Sequence, residues 1–172
     1  MKKKSPAKKP PRRAAKGPLM KDRQWLELAA RAAVLSPHPS VKVGAVITSP
    51  GAKDLIAAAV NEPPDGVALL PARFKHGEKS LWFMCAEKRA LALAQERRAE
   101  FGLKNLKGCR IYSTLPPCHT CAHDIIQAGV RWVCVPEGAL RYYPKLKKKY
   151  RRSMEAAAEM FAERGVRVHA LR

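Results

Sequence analysis

The sequence predicts an α/β protein, a three-layer α/β/α domain built on a five-stranded mixed sheet whose last two strands run parallel. Three observations carry that expectation. Short apolar runs rich in valine, isoleucine and alanine alternate with stretches of helical periodicity along most of the chain. The first two runs are separated only by a turn, which suits an antiparallel hairpin. The last two flank a long helical stretch, and a crossover of that length returns its second strand parallel to the first, in the right-handed sense.

Taken in order, Asp22 is placed to cap a helix over 24–35, where Trp25, Leu28, Ala29, Ala32 and Leu35 recur at helical spacing. Ser36-Pro37-His38-Pro39 stops it. Runs 43–48 and 55–60 read as strands joined through Ser49-Pro50-Gly51-Ala52-Lys53-Asp54. A loop over about 61–80 follows with Pro63-Pro64-Asp65-Gly66 in it, and a connection of that length in a small domain points to function. Residues 85–100, rich in Ala, Leu, Glu and Arg, predict a helix, and 109–114 a buried strand. Beyond the Pro116-Pro117 break, 118–128 predicts a helix closed by Gly129 at its C′ position, and 131–135 a strand. The last pair is a helix over 145–164, with Met154, Ala157, Ala158 and Phe161 inward and Gly165 ending it, and a strand over 166–171.

At 172 residues, with 47% hydrophobic and 28% charged side chains, the chain has the length and composition of one folded domain. We place that domain at 22–172. Residues 1–21 form a basic tail of lysine, arginine, proline and alanine with no apolar periodicity, which predicts disorder. The longest apolar run, Leu55 to Val60, is six residues, far short of the roughly 18 that a membrane-spanning helix needs. No apolar stretch of a secretory signal follows the basic start, so the five cysteines are expected in a reducing compartment, the cytoplasm, where metal binding or catalysis outranks disulfides. The net charge is +20, of which residues 1–23 contribute +9, so the folded part is basic as well. Such an excess suits a phosphate-bearing partner, whether nucleotide, nucleic acid or anionic lipid.

Two cysteine clusters carry the chemistry. Cys85-Ala86-Glu87 opens one predicted helix and Pro117-Cys118-His119-Thr120-Cys121 opens the next. Helix starts present free N–H groups and the positive end of the helix dipole, which lower thiol pKa values, so these three sulfurs are expected to be thiolates and zinc ligands. Three ligands leave a fourth position open, as in a catalytic rather than a structural zinc site. Glu87 falls on the same first turn as Cys85 and is placed to act as general acid and base. The alternative is a structural half-site or a redox pair at C-x-x-C with Cys85 an ordinary buried cysteine. A closed four-ligand site would need a second pair, and Cys109 and Cys134 stand singly in predicted strands. The order Cys-Ala-Glu, then about 30 residues on Pro-Cys-x-x-Cys, has the form of the zinc deaminase signature.

From residue 22 to residue 171 the chain resembles the cytidine and deoxycytidylate deaminase superfamily, and its deoxycytidylate branch in particular. The likeness rests on Ser36-Pro37-His38-Pro39-Ser40, Val43-Gly44-Ala45-Val46-Ile47, Asn61 with Pro64 and Gly66, Thr114 to Ala122, and Ile125-Ile126-Gln127-Ala128-Gly129-Val130. It implies a cytidine-deaminase-like fold, a Zn2+ cofactor, and commonly a homo-oligomer. One departure is that the deoxycytidylate branch usually supplies a histidine where this chain has Cys85, as nucleoside cytidine deaminases do. A parallel last strand argues against that nucleoside branch. The reaction implied is hydrolytic: water attacks C4 of cytosine, Glu87 moves protons to ring N3 and the leaving amine, and ammonia departs. The Ala86 N–H would hold the base carbonyl, the Thr114 and Leu115 carbonyls the amino group, and Asn61 a sugar hydroxyl. The alternative for Asn61 is a turn residue that stabilises its own loop.

Three thiolates on one dication leave a formal charge of −1, so a compensating cation is expected. Lys88 and Arg89 follow Glu87 directly, and Arg89 could bond a ligand sulfur or, with Lys42, contact a substrate phosphate; the alternative is a solvated helix face. Three functional classes compete. The first is a deaminase of a cytosine mononucleotide, dCMP or CMP. The second is a deaminase of single-stranded DNA or tRNA, bound through the basic tail, Arg141-Tyr142-Tyr143 and the run Lys145 to Arg152. The third is a silent binding protein that keeps the zinc fold as scaffold. An intact Glu87 and a complete ligand set favour catalysis.

Overall fold

A computed structural model describes residues 21–75, 78–141 and 148–172. The helices are α1 (Asp22–Ala33), α2 (Lys79–Trp82), α3 (Ala86–Arg97), α4 (His119–Gln127), α5 (Glu137–Arg141) and α6 (Lys148–Glu163). The strands are β1 (Gly44–Thr48), β2 (Leu55–Val60), β3 (Arg110–Ser113), β4 (Trp132–Pro136) and β5 (Arg167–Leu171). They form one mixed sheet in the order β2-β1-β3-β4-β5. β1 runs antiparallel to β2 and β3, and β3, β4 and β5 are mutually parallel. The expected parallel last pair is present, and a second parallel pair joins it because α4 is also a crossover helix.

Alternation along the strands sorts the core into two layers. Ala45, Ile47, Ile111, Val133 and Val135 face α3, α4 and α6, packing with Ala90, Leu91, Ala94, Ala122, Ile125 and Phe161. Val46, Tyr112 and Cys134 face the other way, onto Trp25, Leu26 and Ala29 of α1. α1 lies so close to β1 that a Cβ on Gly44 would sit 2.0 Å from the Ala29 carbonyl oxygen, so no larger residue fits. Gly129 at φ 80° closes α4: its N–H reaches the Ile126 carbonyl and that of Val130 the Ile125 carbonyl.

Several expectations are corrected. Asp22 does not cap α1. Lys21 holds that position, its N–H donating to Gln24 Oε1 at 2.7 Å. Asp22 Oδ1 accepts instead from Arg110 Nη1 at 2.7 Å and from the Tyr112 hydroxyl at 2.6 Å, an ion pair plus a second donor where a cap would supply backbone N–H groups alone. α1 ends at Ala33, leaving Leu35 78% exposed, and Leu26 and Ala33 take inward places. α3 gives way to a 3-10 turn over Arg98–Phe101, and Ala158 of α6 faces solvent. The loop after β2 carries a 3-10 turn (Pro71–Phe74) and α2, and α5 follows β4, neither helix being among the elements the sequence predicts. The tail to residue 20, Tyr142-Tyr143 and the predicted start of the last helix at 145–147 lie outside the described residues.

The long loop is tied at both ends to the site. Glu62 and Met84 form an isolated antiparallel bridge, with the Met84 N–H 2.9 Å from the Glu62 carbonyl. Between them Phe74 and Phe83 pack edge-on against the buried His38 ring. This fixes Phe83 and Met84, the two residues before Cys85.

Candidate metal and catalytic site

β3 ends at Ser113, the chain turns through Thr114-Leu115-Pro116-Pro117, and α4 begins; α3 begins beside it from the tied end of the loop. Cys85 and Cys118 occupy the N-cap positions of α3 and α4, both with extended backbone. Cys121 is the third residue of α4 and Glu87 the second of α3. Two helix starts thus converge on one point.

The sulfurs of Cys85, Cys118 and Cys121 all lie within 4.8 Å of one another, with Cys118 and Cys121 3.4 Å apart. Zinc bonded tetrahedrally to sulfur at about 2.3 Å sets its ligands about 3.8 Å apart, so the donor set fits that ion. No other group of three candidate ligands meets this spacing among the described residues.

The electrostatics demand a cation. Without a cation, the three thiols hold one another's protons. Hydrogen bonds from Cys121 and Cys85, with the Thr120 hydroxyl at 3.2 Å, hold the Cys118 thiol far below its ordinary value. The same contacts push the donors up. Cys85 rises to about 12, chiefly through its bond to Cys118, and Cys121 rises further for the same reason. Three negative sulfurs at this spacing therefore need a positive charge among them.

Glu87 is 4% exposed. Burial, above all else, lifts its carboxyl well above the usual carboxylate range. Its Oε1 accepts from the Ser113 hydroxyl at 3.0 Å, while Oε2 lies 3.7 Å from the Cys121 sulfur. One oxygen is anchored and the other faces the sulfur cluster. A buried carboxyl so placed, with its proton held more tightly than in water, can serve as a proton carrier.

Of the remaining predicted residues, Ala86 is fully buried, and as the first residue of α3 its N–H has no partner within the helix. Thr114 is paired through both backbone and side chain with Gly44, each contact 3.1 Å, and Leu115 is half-buried against the core. Asn61 is 1% exposed: its Oδ1 accepts from the Val43 N–H at 2.6 Å and its Nδ2 donates to the Val41 carbonyl at 2.9 Å. Lys42 is exposed, its Nζ 3.0 Å from the Val34 carbonyl. Arg89 departs from expectation. Its Nη2 is 2.9 Å from Glu62 and 3.5 Å from Asp65, two carboxylates on the loop that claim the guanidinium before a sulfur or a phosphate can. Lys88 pairs with Asp124 at 3.2 Å. Burial lowers its pKa, but Asp124 and then the charges of Cys121 and Cys85 outweigh that and leave it raised, so Lys88 rather than Arg89 is the cation that senses the sulfurs.

Two contacts escaped sequence reasoning. Ser113 could have been found from alternation, since Cys109 and Ile111 face the α3 side and a hydroxyl two residues on marks a polar group in a core-facing row. Thr120, between the cysteines of C-x-x-C, carried no signal apart from its neighbours.

A sequence model described as the cytidine and deoxycytidylate deaminase zinc-binding region matches residues 19–136. The chain belongs to this deaminase family. Its cofactor is zinc, and Cys85, Cys118 and Cys121 are the cluster able to hold it. A protein of Aliivibrio fischeri described as an uncharacterized deaminase in the luxG 3′ region is 29% identical over 146 residues, covering 85% of this chain and 90% of that one. The fold is similar to dCMP deaminase of cyanophage S-TIM5 in complex with dCMP and dUMP, with a TM-score of 0.63 at 20% identity over 88% of this chain and 99% of that one. It is also similar to RibD of Acinetobacter baumannii, with a TM-score of 0.52 at 23% identity over 87% of this chain and 34% of that one. No described helix is long and apolar enough to cross a membrane.

Proposed function

We propose that the substrate of this deaminase is a cytosine nucleotide, dCMP or CMP, converted to the uracil nucleotide with release of ammonia. The observation that carries the reading is the buried Glu87 carboxyl set against three, rather than four, converging cysteine sulfurs. Zinc held there supplies a Lewis acid that makes water nucleophilic near neutral pH. Glu87 takes the proton of the attacking water on Oε2 and returns protons to ring N3 and to the departing amine. The unpaired Ala86 N–H receives the base carbonyl, and the Thr114 and Leu115 carbonyls receive the amino group. Asn61 offers the sugar its second amide hydrogen, beyond the bonds that hold 41–43. With Arg89 claimed by Glu62, the phosphate falls to Lys42. The five free thiols suit a reducing cytoplasm.

The polynucleotide reading draws less support. Within the described part of the basic run, Arg151 and Arg152 pair with Glu155 and Glu159 of their own helix, which neutralises charge that would track a phosphate backbone. A panel of cytidine, deoxycytidine, CMP, dCMP, single-stranded DNA and tRNA tests the choice. Ammonia release from dCMP or CMP that depends weakly on salt and survives deletion of residues 1–18 is the expected result. Glu87→Gln should keep zinc and fold while turnover falls by roughly 10²- to 10⁴-fold. Turnover confined to DNA or tRNA would overturn the substrate, near-normal turnover by Glu87→Gln would overturn the mechanism, and a zinc-loaded protein inactive on all six would leave the scaffold reading.

A further inference from the structure

The two oxygens of Glu87 have different neighbours, and that asymmetry needs a cause. Glu87 sits on the second residue of α3, a position from which a carboxylate ordinarily turns back toward the free N–H groups of its own helix start. Glu87 keeps that bond to its own backbone N–H. Beyond it, Oε2 lies 3.7 Å from the Cys121 sulfur and Oε1 accepts from the Ser113 hydroxyl at 3.0 Å.

Ser113 is rigidly placed. It is fully buried, lies at the end of β3 in register with Ala45 of β1, and shares its sheet face with Ile111. A hydroxyl in that row has no water to satisfy it and must find a partner within the protein. The partner is Glu87. β3 is bonded to strands on both sides, so the donor is fixed to the frame that also leads into Cys118.

We propose that Ser113 is a positioning residue for the deamination. Its hydroxyl locks Oε1 and thereby keeps Oε2 as the single proton-carrying oxygen, aimed at the space bounded by the three sulfurs. The inference rests on Glu87 as proton carrier and adds to it a division of labour between the two oxygens. Ser113 touches neither base nor metal. It acts only through the orientation of Glu87, so its loss lowers kcat and spares substrate affinity.

Ser113→Ala removes one oxygen from a buried site and leaves the fold intact. In the zinc-loaded full chain, with whichever cytosine substrate the wild type accepts, kcat should fall roughly tenfold to a hundredfold, the span of one hydrogen bond to an ionised group. KM and zinc content should stay at wild-type values, while the thermal midpoint falls by the few degrees that one buried hydrogen bond supports. A crystal structure of zinc-loaded Ser113→Ala should show the Glu87 carboxyl turned away from the three sulfurs or spread over several rotamers. That arm needs no turnover. Wild-type kcat in the variant, a kcat loss that comes with lost zinc, or Glu87 in its original rotamer would each overturn the proposal. If Glu87→Gln stays active, the proton-carrier reading itself fails; if only Ser113→Ala does, Ser113 alone is wrongly assigned.

Discussion

Cys85, Cys118 and Cys121 stand at the starts of α3 and α4, whereas Cys109 sits just before β3 and Cys134 within β4. All five are free and lie in or beside the same sheet-and-helix frame, yet only the first three approach one another. Cys109 and Cys134 do not even share a layer: one packs on the α3 side and the other against α1. A helix start leaves backbone donors free and turns the side chain outward from the first turn, so two such starts can focus several sulfurs on one point. Strand positions alternate between faces and send their side chains into separate cores. The difference teaches that ligand capacity in this chain follows from the element a cysteine begins, not from the number of cysteines.

The largest expected effect breaks the comparison outright if it fails. Cys85→Ser, Cys118→Ser and Cys121→Ser should each drop bound zinc from about one ion per chain to near none and abolish deamination, since each removes one of three protein ligands. Cys109→Ser and Cys134→Ser should retain the metal. Metal analysis of the five purified variants decides it. Retention by Cys85→Ser together with loss in Cys109→Ser would reverse the two groups.

A smaller effect sharpens the comparison within the ligand set. The Thr120 hydroxyl lies 3.2 Å from the Cys118 sulfur and helps hold that thiol below its ordinary value. Arg89 is held by Glu62, so this hydroxyl takes up part of the role we had assigned to the guanidinium. Thr120→Val keeps the shape and removes the donor, and zinc affinity measured by competition with a chelator should fall by about tenfold. An unchanged affinity would show that the contact is incidental.

The site was legible where chemistry and position coincide in the sequence. Cys-Ala-Glu and Pro-Cys-x-x-Cys each name the residue types and, by opening predicted helices, the geometry as well. The sheet was legible for a similar reason: apolar runs and their connections dictate which strands run parallel. What escaped were choices between competing partners. Asp22 had the identity of a cap and went to Arg110 and Tyr112, which are 88 and 90 positions away in the chain. Arg89 stood just after Glu87 and went to Glu62 and Asp65 on the loop. Both outcomes depend on which charges the fold brings together, and local sequence does not carry that. Asn61 illustrates the middle case, since a turn role and a sugar role call for the same residue, and its bonds to Val43 and Val41 tie it to the segment before β1 rather than to its own turn.

The smallest effect concerns the cysteines outside the cluster. Burial alone pushes the Cys109 thiol up to about 11, and burial with the charge of Asp22 pushes Cys134 up to about 12. Both should therefore ignore thiol reagents at pH 8 in the folded, zinc-loaded protein, while a chelator exposes Cys118, the cluster thiol with a lowered pKa, to reaction and full unfolding makes all five react. The same shift sets a pH dependence. In the unfolded chain these thiols ionise near 9, so from pH 9 upward the unfolded state releases protons that the folded state keeps, and stability declines until the folded thiols also ionise near 11 to 12. For Cys109 the loss approaches about 2 to 3 kcal/mol at pH 11. Because lysines and tyrosines titrate over the same range, the measurement is a comparison: urea midpoints of wild type and Cys109→Ala at pH 8 and pH 10.5. The variant starts lower, having lost a buried side chain, and the gap between the two should narrow as pH rises. A gap that stays constant would mean that Cys109 ionises as easily folded as unfolded, and the contrast between buried and helix-start cysteines would then rest on metal binding alone.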